Sequence, residues 1–323
     1  MLKKIFKFSL LTVILPSLLF CVKQTVKIEP WARIDVRALD IPASSEQSIQ
    51  DLAEYLGKNC HNDIEKARVL YRWITDNIYY DTEFDRGNLT GFISPDSVLH
   101  RRSAVCGGYA GLYKSLSDVM GLTVVEIDGY AKGSHYTPGD RFSGPYNHSW
   151  IAVQVDSGWQ LIDPTWGSGY INEKGEYVHQ FNDYYFLVPP EELIYSHFPD
   201  KPEWQLLNST LTLNEFENTV FLKDIFFKNN LQLKSHISGT IKTGDNLHIE
   251  LIVPQQIQLL TMLENNDDIL PETLIKNKRI GNIYHLYLNL PTEGDYFLKI
   301  FSKHVNAPNS YILTMVYKII AEK

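Results

Sequence analysis

Arg101 to Leu116, RRSAVCGGYAGLYKSL, is the stretch whose reading decides the fold. Behind Cys106 the apolar residues Tyr109, Leu112, Leu116, Val119 and Met120 recur with helical period, and Gly121 is a natural stop. Cys106 is therefore expected at a helix N-terminus. Unpaired backbone N–H groups and the positive end of the dipole favour a thiolate there, and a thiolate is the nucleophilic form of cysteine. Gly107, Gly108 and Gly111 are poor helix formers, so something other than local propensity places them in the opening turns. Close approach of a bound chain is one reason; tight packing of the helix is the other.

Downstream, Thr123 to Tyr130 alternates like a strand, and Ala131 to Tyr146 is a long loop rich in glycine, proline and tyrosine. A second strand follows from Asn147 to Val155, with His148, Trp150 and Ala152 on one face. A two-residue turn at Ser157-Gly158 and a return over Trp159 to Asp163 would put Asp163 on the face of His148, but opposite Ala152, several positions away along the ladder. Contact between the two would need a bulge, a wider turn or strong twist. Cys106, His148 and Asp163 together have the residue types of a thiolate nucleophile, a proton-carrying imidazole and an orienting carboxylate.

The local contexts of these residues resemble a known family. VCGGYAGLYKSL (105–116), GYAKG (129–133), NHSWIAV (147–153) and WQLIDPTWGSGY (159–170) resemble the transglutaminase-like branch of the papain-type cysteine enzymes, within it the kyphoscoliosis peptidase group. The run from Asp183 to Leu207 resembles that group's extension beyond the core. The resemblance covers roughly Gln47 to Leu207. It implies an α+β fold with the cysteine helix packed on an antiparallel sheet, and catalytic roles for Cys106 (nucleophile), His148 (general base and acid) and Asp163 (orienting carboxylate). The chemistry it implies is acyl transfer from an amide of protein or peptide to water or to an amine, with one oxyanion donor at the Cys106 N–H. Superfamily members with decayed triads act as scaffolds, so a non-catalytic envelope scaffold or peptide-binding lipoprotein is the competing reading.

The 323 residues carry a formal net charge of -8 and no basic cluster, which excludes a nucleic-acid surface. Lys3, Lys4 and Lys7 precede an apolar run from Phe8 to Phe20 that is short for a bilayer span, as in an export signal. Leu18-Leu19-Phe20-Cys21 resembles a lipoprotein processing site with Cys21 as the lipidated residue; plain secretion with cleavage elsewhere, or an uncleaved anchor, is the other reading. Both place the chain outside the cytoplasm, in the cell envelope if anchored. Residues 22–45 read as a linker, and the catalytic domain as 46–207. Within it Ser44 or Ser45, then Asn62 or Asp63, are expected to cap two core helices. Cys60 pairing with Cys106 is a further hypothesis. His61, His100, His135, His179 and His197 lack paired metal-ligand spacing, so no metal or cofactor is expected.

From Asn208 onward the pattern changes to short alternating strands: 220–227, 231–241, 247–253, 257–263, 283–290, 296–301 and 311–319. This points to an all-β immunoglobulin-like sandwich over 208–323 without the antibody cysteine pair, a module also carried by kyphoscoliosis peptidase-like chains. Its role is read as either structural or partner docking.

Overall fold

The computed structural model describes residues 31–85, 94–156, 158–266, 268–307 and 310–322. The N-terminal signal, with Cys21, lies outside the described residues. Of the described helices, none is long and apolar enough to cross a membrane. The chain folds around two separate apolar clusters, one helical and sheet-based up to Leu206, the other all-β from Val220.

In the first, Asn62 caps the Asp63–Asn77 helix through the Glu65 N–H, and Ala67, Leu70, Tyr71 and Ile74 face inward. The preceding helix, Ile49–Gly57, is capped by Ser48, not by Ser44 or Ser45, which sit in a short 3-10 turn. Ala32–Leu39 corrects the linker reading: it is a helix, with Ile34 and Ala38 buried one turn apart. Asp35 in that helix takes both Nε and a terminal nitrogen of the buried Arg68 at 2.7 Å each, which ties it to the core. Tertiary contact rather than length stabilises so short a helix.

The cysteine helix, Cys106–Val119, buries Tyr109, Ala110, Leu112, Tyr113 and Leu116 between these helices and a five-stranded antiparallel sheet. The strand order is Phe186–Val188, Gly158–Ile162, His148–Val155, Val124–Ala131, His197–Pro199. A Cβ on Gly108 would lie 2.5 Å from Cβ of Ala104, whereas one on Gly107 would meet nothing within 4 Å. Tight packing thus accounts for Gly108, and Gly107 borders open space.

The second cluster is a two-sheet sandwich. One sheet runs Phe221–Leu222, Ile312–Ala321, Gly294–His304, Ile257–Asn265, Asp268–Ile269, with Thr240–Thr243 parallel to Ile312–Ala321. The other runs Gln232–Leu233, Asn246–Ile252, Ile283–Asn289, Ile275–Ile280. Two expected strands break here. The expected strand 220–227 turns into a helix at Asp224–Lys228, which buries Phe226. The expected strand 231–241 divides between the two sheets, with His236 at φ +55° in between. Ile275–Ile280, a polar edge strand, was absent from the expected set because only its end residues are apolar.

Candidate active site

Cys106 is the first residue of its helix and is part-buried. Among the described residues Cys60 and Cys106 are both free thiols, which corrects the proposed pairing.

His148 opens the central strand of the sheet, opposite Gly129, and its ring is 6% exposed. The hairpin that brings Asp163 to it closes one residue earlier than the sequence pattern suggested. Val155 pairs with Gly158 and Gln154 with Trp159, so Gly158 begins the returning strand instead of ending the turn. Continuing this register puts Asp163 opposite Trp150, only two positions from His148. Parity is unchanged, and the separation falls into the reach of a diagonal cross-strand pair. Strand pairing stops at Ile162, and Asp163 caps the Pro164–Ser168 turn of helix, with proline at its first position.

The carboxylate of Asp163 is fully buried and accepts four hydrogen bonds. Oδ1 accepts the backbone N–H of Thr165 at 2.8 Å and of Trp166 at 3.0 Å. Oδ2 faces Nε2 of His148 at 2.8 Å and Nε2 of His197 at 3.1 Å. With Nε2 committed to Asp163, Nδ1 of His148 is the ring nitrogen left for the thiol of Cys106, to which His148 is hydrogen-bonded.

His197 is the residue that sequence reading missed; it had been weighed only as a metal ligand and set aside. Its edge strand pairs with Val124–Ala131 on the side away from His148, so Ala131 faces His197 and Gly129 faces both His148 and Pro199. A Cβ on Gly129 would come within 2.2 Å of the Phe198 carbonyl and 2.6 Å of the Trp150 ring, so only glycine lets the two histidine strands close in. Trp166 packs 4.4 Å from the His197 ring and 5.5 Å from the His148 ring, centroid to centroid. The one hint in the sequence was a histidine inside the short apolar segment Ser196–Pro199.

Burial pushes the Cys106 thiol up, but the hydrogen bond and charge of His148 and the Ser149 backbone N–H outweigh it, and its pKa falls below the usual range. Burial opposes the charged form of His148, while the charge and hydrogen bond of Asp163 raise it, for a net upward shift. Burial likewise opposes the Asp163 anion, and the two histidines reverse this, holding the carboxyl well below the usual carboxylate range. The three shifts together favour a thiolate–imidazolium pair backed by a carboxylate. His197 behaves oppositely: burial pushes it down to about 4. It is neutral at pH 7, with Nδ1 taking the Ser196 hydroxyl at 2.8 Å and Nε2–H donating to Asp163.

His148, Asp163 and His197 would also suffice in number for a metal. Asp163 is already saturated by four donors and His197 by two partners, so this arrangement is a hydrogen-bond network with no coordination position to spare.

Comparison with known proteins agrees with the fold. Residues 50–164 match the family model described as Transglutaminase-like superfamily, and 213–323 that of the KY-like, immunoglobulin-like domain. The chain is 30% identical over 307 residues to mouse Kyphoscoliosis peptidase, covering 90% of this chain and 45% of that one. It is 29% identical to the human Kyphoscoliosis peptidase over 86% of this chain and 42% of the relative. Identity to Hillarin of Drosophila melanogaster is 28%, over 86% and 37% respectively. The chain spans less than half the length of these relatives. The cysteine helix on its sheet falls in the first of these matches and the β-sandwich in the second: the chain carries a transglutaminase-like domain followed by a KY-like immunoglobulin-like domain.

Proposed function

We propose that the chain is a cysteine enzyme that opens amide bonds of protein or peptide through a thioester on Cys106. The observation that carries this reading is the connected series Cys106–His148–Asp163, in which His148 is hydrogen-bonded to the thiol on one side and to the carboxylate on the other. The thiolate attacks the acyl carbon and the C–N bond breaks. The imidazolium gives its proton to the departing amine, then takes one from the water or amine that releases the acyl group. Asp163 keeps the ring oriented and stabilises its charge. The Cys106 N–H, at the helix start, is one donor for the developing oxyanion. Hydrolysis is favoured over cross-linking, because water is abundant and no dedicated amine site stands out among the described residues.

Incubation with p-nitrophenyl acetate tests the acyl-enzyme directly: intact-mass spectra should show one acetyl group, mapped to Cys106, and no adduct in Cys106→Ala of unchanged fold. A mixed peptide substrate then separates the outcomes, since new N-termini report cleavage and ammonia reports deamidation. Full biological function in Cys106→Ala would favour the scaffold reading instead.

The basic and apolar N-terminus supports a second proposal, that the chain is exported and anchored through lipid on Cys21. Palmitate-analogue labelling of cells should tag the wild type and not Cys21→Ser; equal labelling of both would sink it.

A further inference from the structure

The outer face of the smaller Ig-like sheet carries a histidine cluster that amide chemistry does not use. Along Asn246–Ile252, Leu247, Ile249 and Leu251 are buried while His248 and Glu250 take the opposite face. On the neighbouring strand Leu286 and Leu288 point inward and His285 outward, directly across from Glu250. Nε2 of His248 lies 3.1 Å from Nδ1 of His285, and that same Nδ1 lies 3.1 Å from Oε1 of Glu250. The three ligand atoms all fall within 4.8 Å of one another.

Protons serve this arrangement poorly. A hydrogen on Nδ1 of His285 has to be shared between a ring nitrogen and a carboxylate; a hydrogen on Nε2 of His248 instead closes the bond between the rings and leaves none between Nδ1 and the carboxylate. One cation at the centre satisfies all three. Tetrahedral zinc has ligand bonds of about 2.0–2.2 Å, which sets neighbouring ligand atoms roughly 3.3–3.5 Å apart; the two separations that involve Nδ1 of His285 are 3.1 Å, and the third stays within 4.8 Å. The ligands are also oriented from behind. Oε2 of Glu250 takes the Lys234 ammonium at 2.6 Å, leaving Oε1 for the centre, and the His248 ring stacks on Tyr287 at 4.4 Å and 8°. Lys278 stands opposite His285 on the edge strand, so ligation and not a negative field would have to hold the ion.

We propose that His248, Glu250 and His285 bind one divalent cation of the zinc class, with the remaining position open to solvent because His248 is exposed. Two imidazoles and a carboxylate are a borderline nitrogen–oxygen set suited to such an ion. The sequence pattern did not show it, because two ligands sit two residues apart on one strand and the third is 37 residues beyond His248 in the chain.

The test uses the full chain carrying Cys106→Ser, stripped with chelator, and titrated with Co2+ alone as a visible probe and Zn2+ as competitor. One equivalent of Co2+ should give a saturable visible band that one equivalent of Zn2+ displaces. His248→Gln, His285→Gln and Glu250→Gln should each weaken the band's titration at least tenfold, with unchanged circular dichroism and metal-free melting. If one variant melts early, the other two decide. No saturable band, or undiminished affinity in the folded variants, overturns the proposal and leaves a hydrogen-bonded surface cluster.

Discussion

Four donors converge on Asp163, and only two of them are histidines. Removing the acceptor leaves buried donors unpaired, so Asp163→Ala should lose roughly 3–5 kcal/mol in urea unfolding, as for other broken buried pairs. Asp163→Asn keeps the shape and discards the charge; it should raise the pH at which Cys106 becomes reactive without comparable loss of stability. His197 acts at one remove, as a positioning residue. Its folded pKa of about 4 lies below the unfolded value of about 6.5. Its contribution to stability is therefore complete above about 6.5 and is lost as pH falls toward about 4, at no more than roughly 1.4 kcal/mol per pH unit. In His197→Gln, which keeps an N–H donor that does not titrate, the acid limb of the urea midpoint between pH 7 and 4 should flatten relative to wild type; an unchanged limb would assign the acid loss elsewhere. The neighbours of Cys106, His148 and Asp163 in the chain, and not the residue types alone, were enough to nominate them. His197 comes from an edge strand joined to the site only by pairing, a relation that no local pattern carries.

At the scale of the element, the opening of the cysteine helix makes opposite demands on adjacent glycines. Gly108→Ala sets a Cβ against Ala104 and should cost about 1–3 kcal/mol of overpacking, more than the roughly 1 kcal/mol that alanine gains in helix propensity. Gly107→Ala meets no atom within 4 Å and should leave the melting temperature unchanged or raise it. A thermal melt of the two variants side by side checks the contrast; equal shifts would contradict it. Helices with a polar cap and a long apolar face, such as Asp63–Asn77, were legible in the sequence because burial imposes the period. Ala32–Leu39 was not, since two buried positions make no visible period and its anchor, Arg68, lies 33 residues from Asp35. The hairpin failed for a different reason: Gly158, at φ +109°, has turn chemistry but occupies a strand position. That one slip separates a pair that needs a bulge, a wider turn or strong twist to touch from one within diagonal reach.

For the molecule as a whole, the short helix Leu213–Asn218 that leads into the sandwich, with Thr219 after it, holds the loop that leads into His148. The buried Lys132, just after Ala131, donates to the Phe216 carbonyl at 2.8 Å, to the Thr219 carbonyl at 3.1 Å and to the Thr219 hydroxyl at 2.8 Å. Further along, Glu217 accepts from Arg141 at 2.8 Å and from the Phe142 backbone N–H at 2.7 Å. Lys132→Met keeps the volume and abandons these acceptors, so unfolding free energy should fall by about 1–3 kcal/mol. If the two units are coupled through this contact, the loss should also appear as faster hydrogen exchange in 132–147. The long loop was legible from its glycine, proline and tyrosine content; its ties to the second unit could not be read, because they join segments about eighty residues apart.

The most direct test of the account is the pH dependence of alkylation at Cys106, read by mass spectrometry against Cys60 in the same sample, in wild type and His148→Ala. Burial raises the Cys60 thiol, whereas His148 lowers that of Cys106. The account predicts that Cys106 reacts well below the pH at which Cys60 does, and that His148→Ala abolishes the difference. If Cys106 titrates like Cys60 in the folded wild type, or keeps its advantage without His148, the ion pair is not what activates the thiol and the proposed enzyme mechanism is wrong.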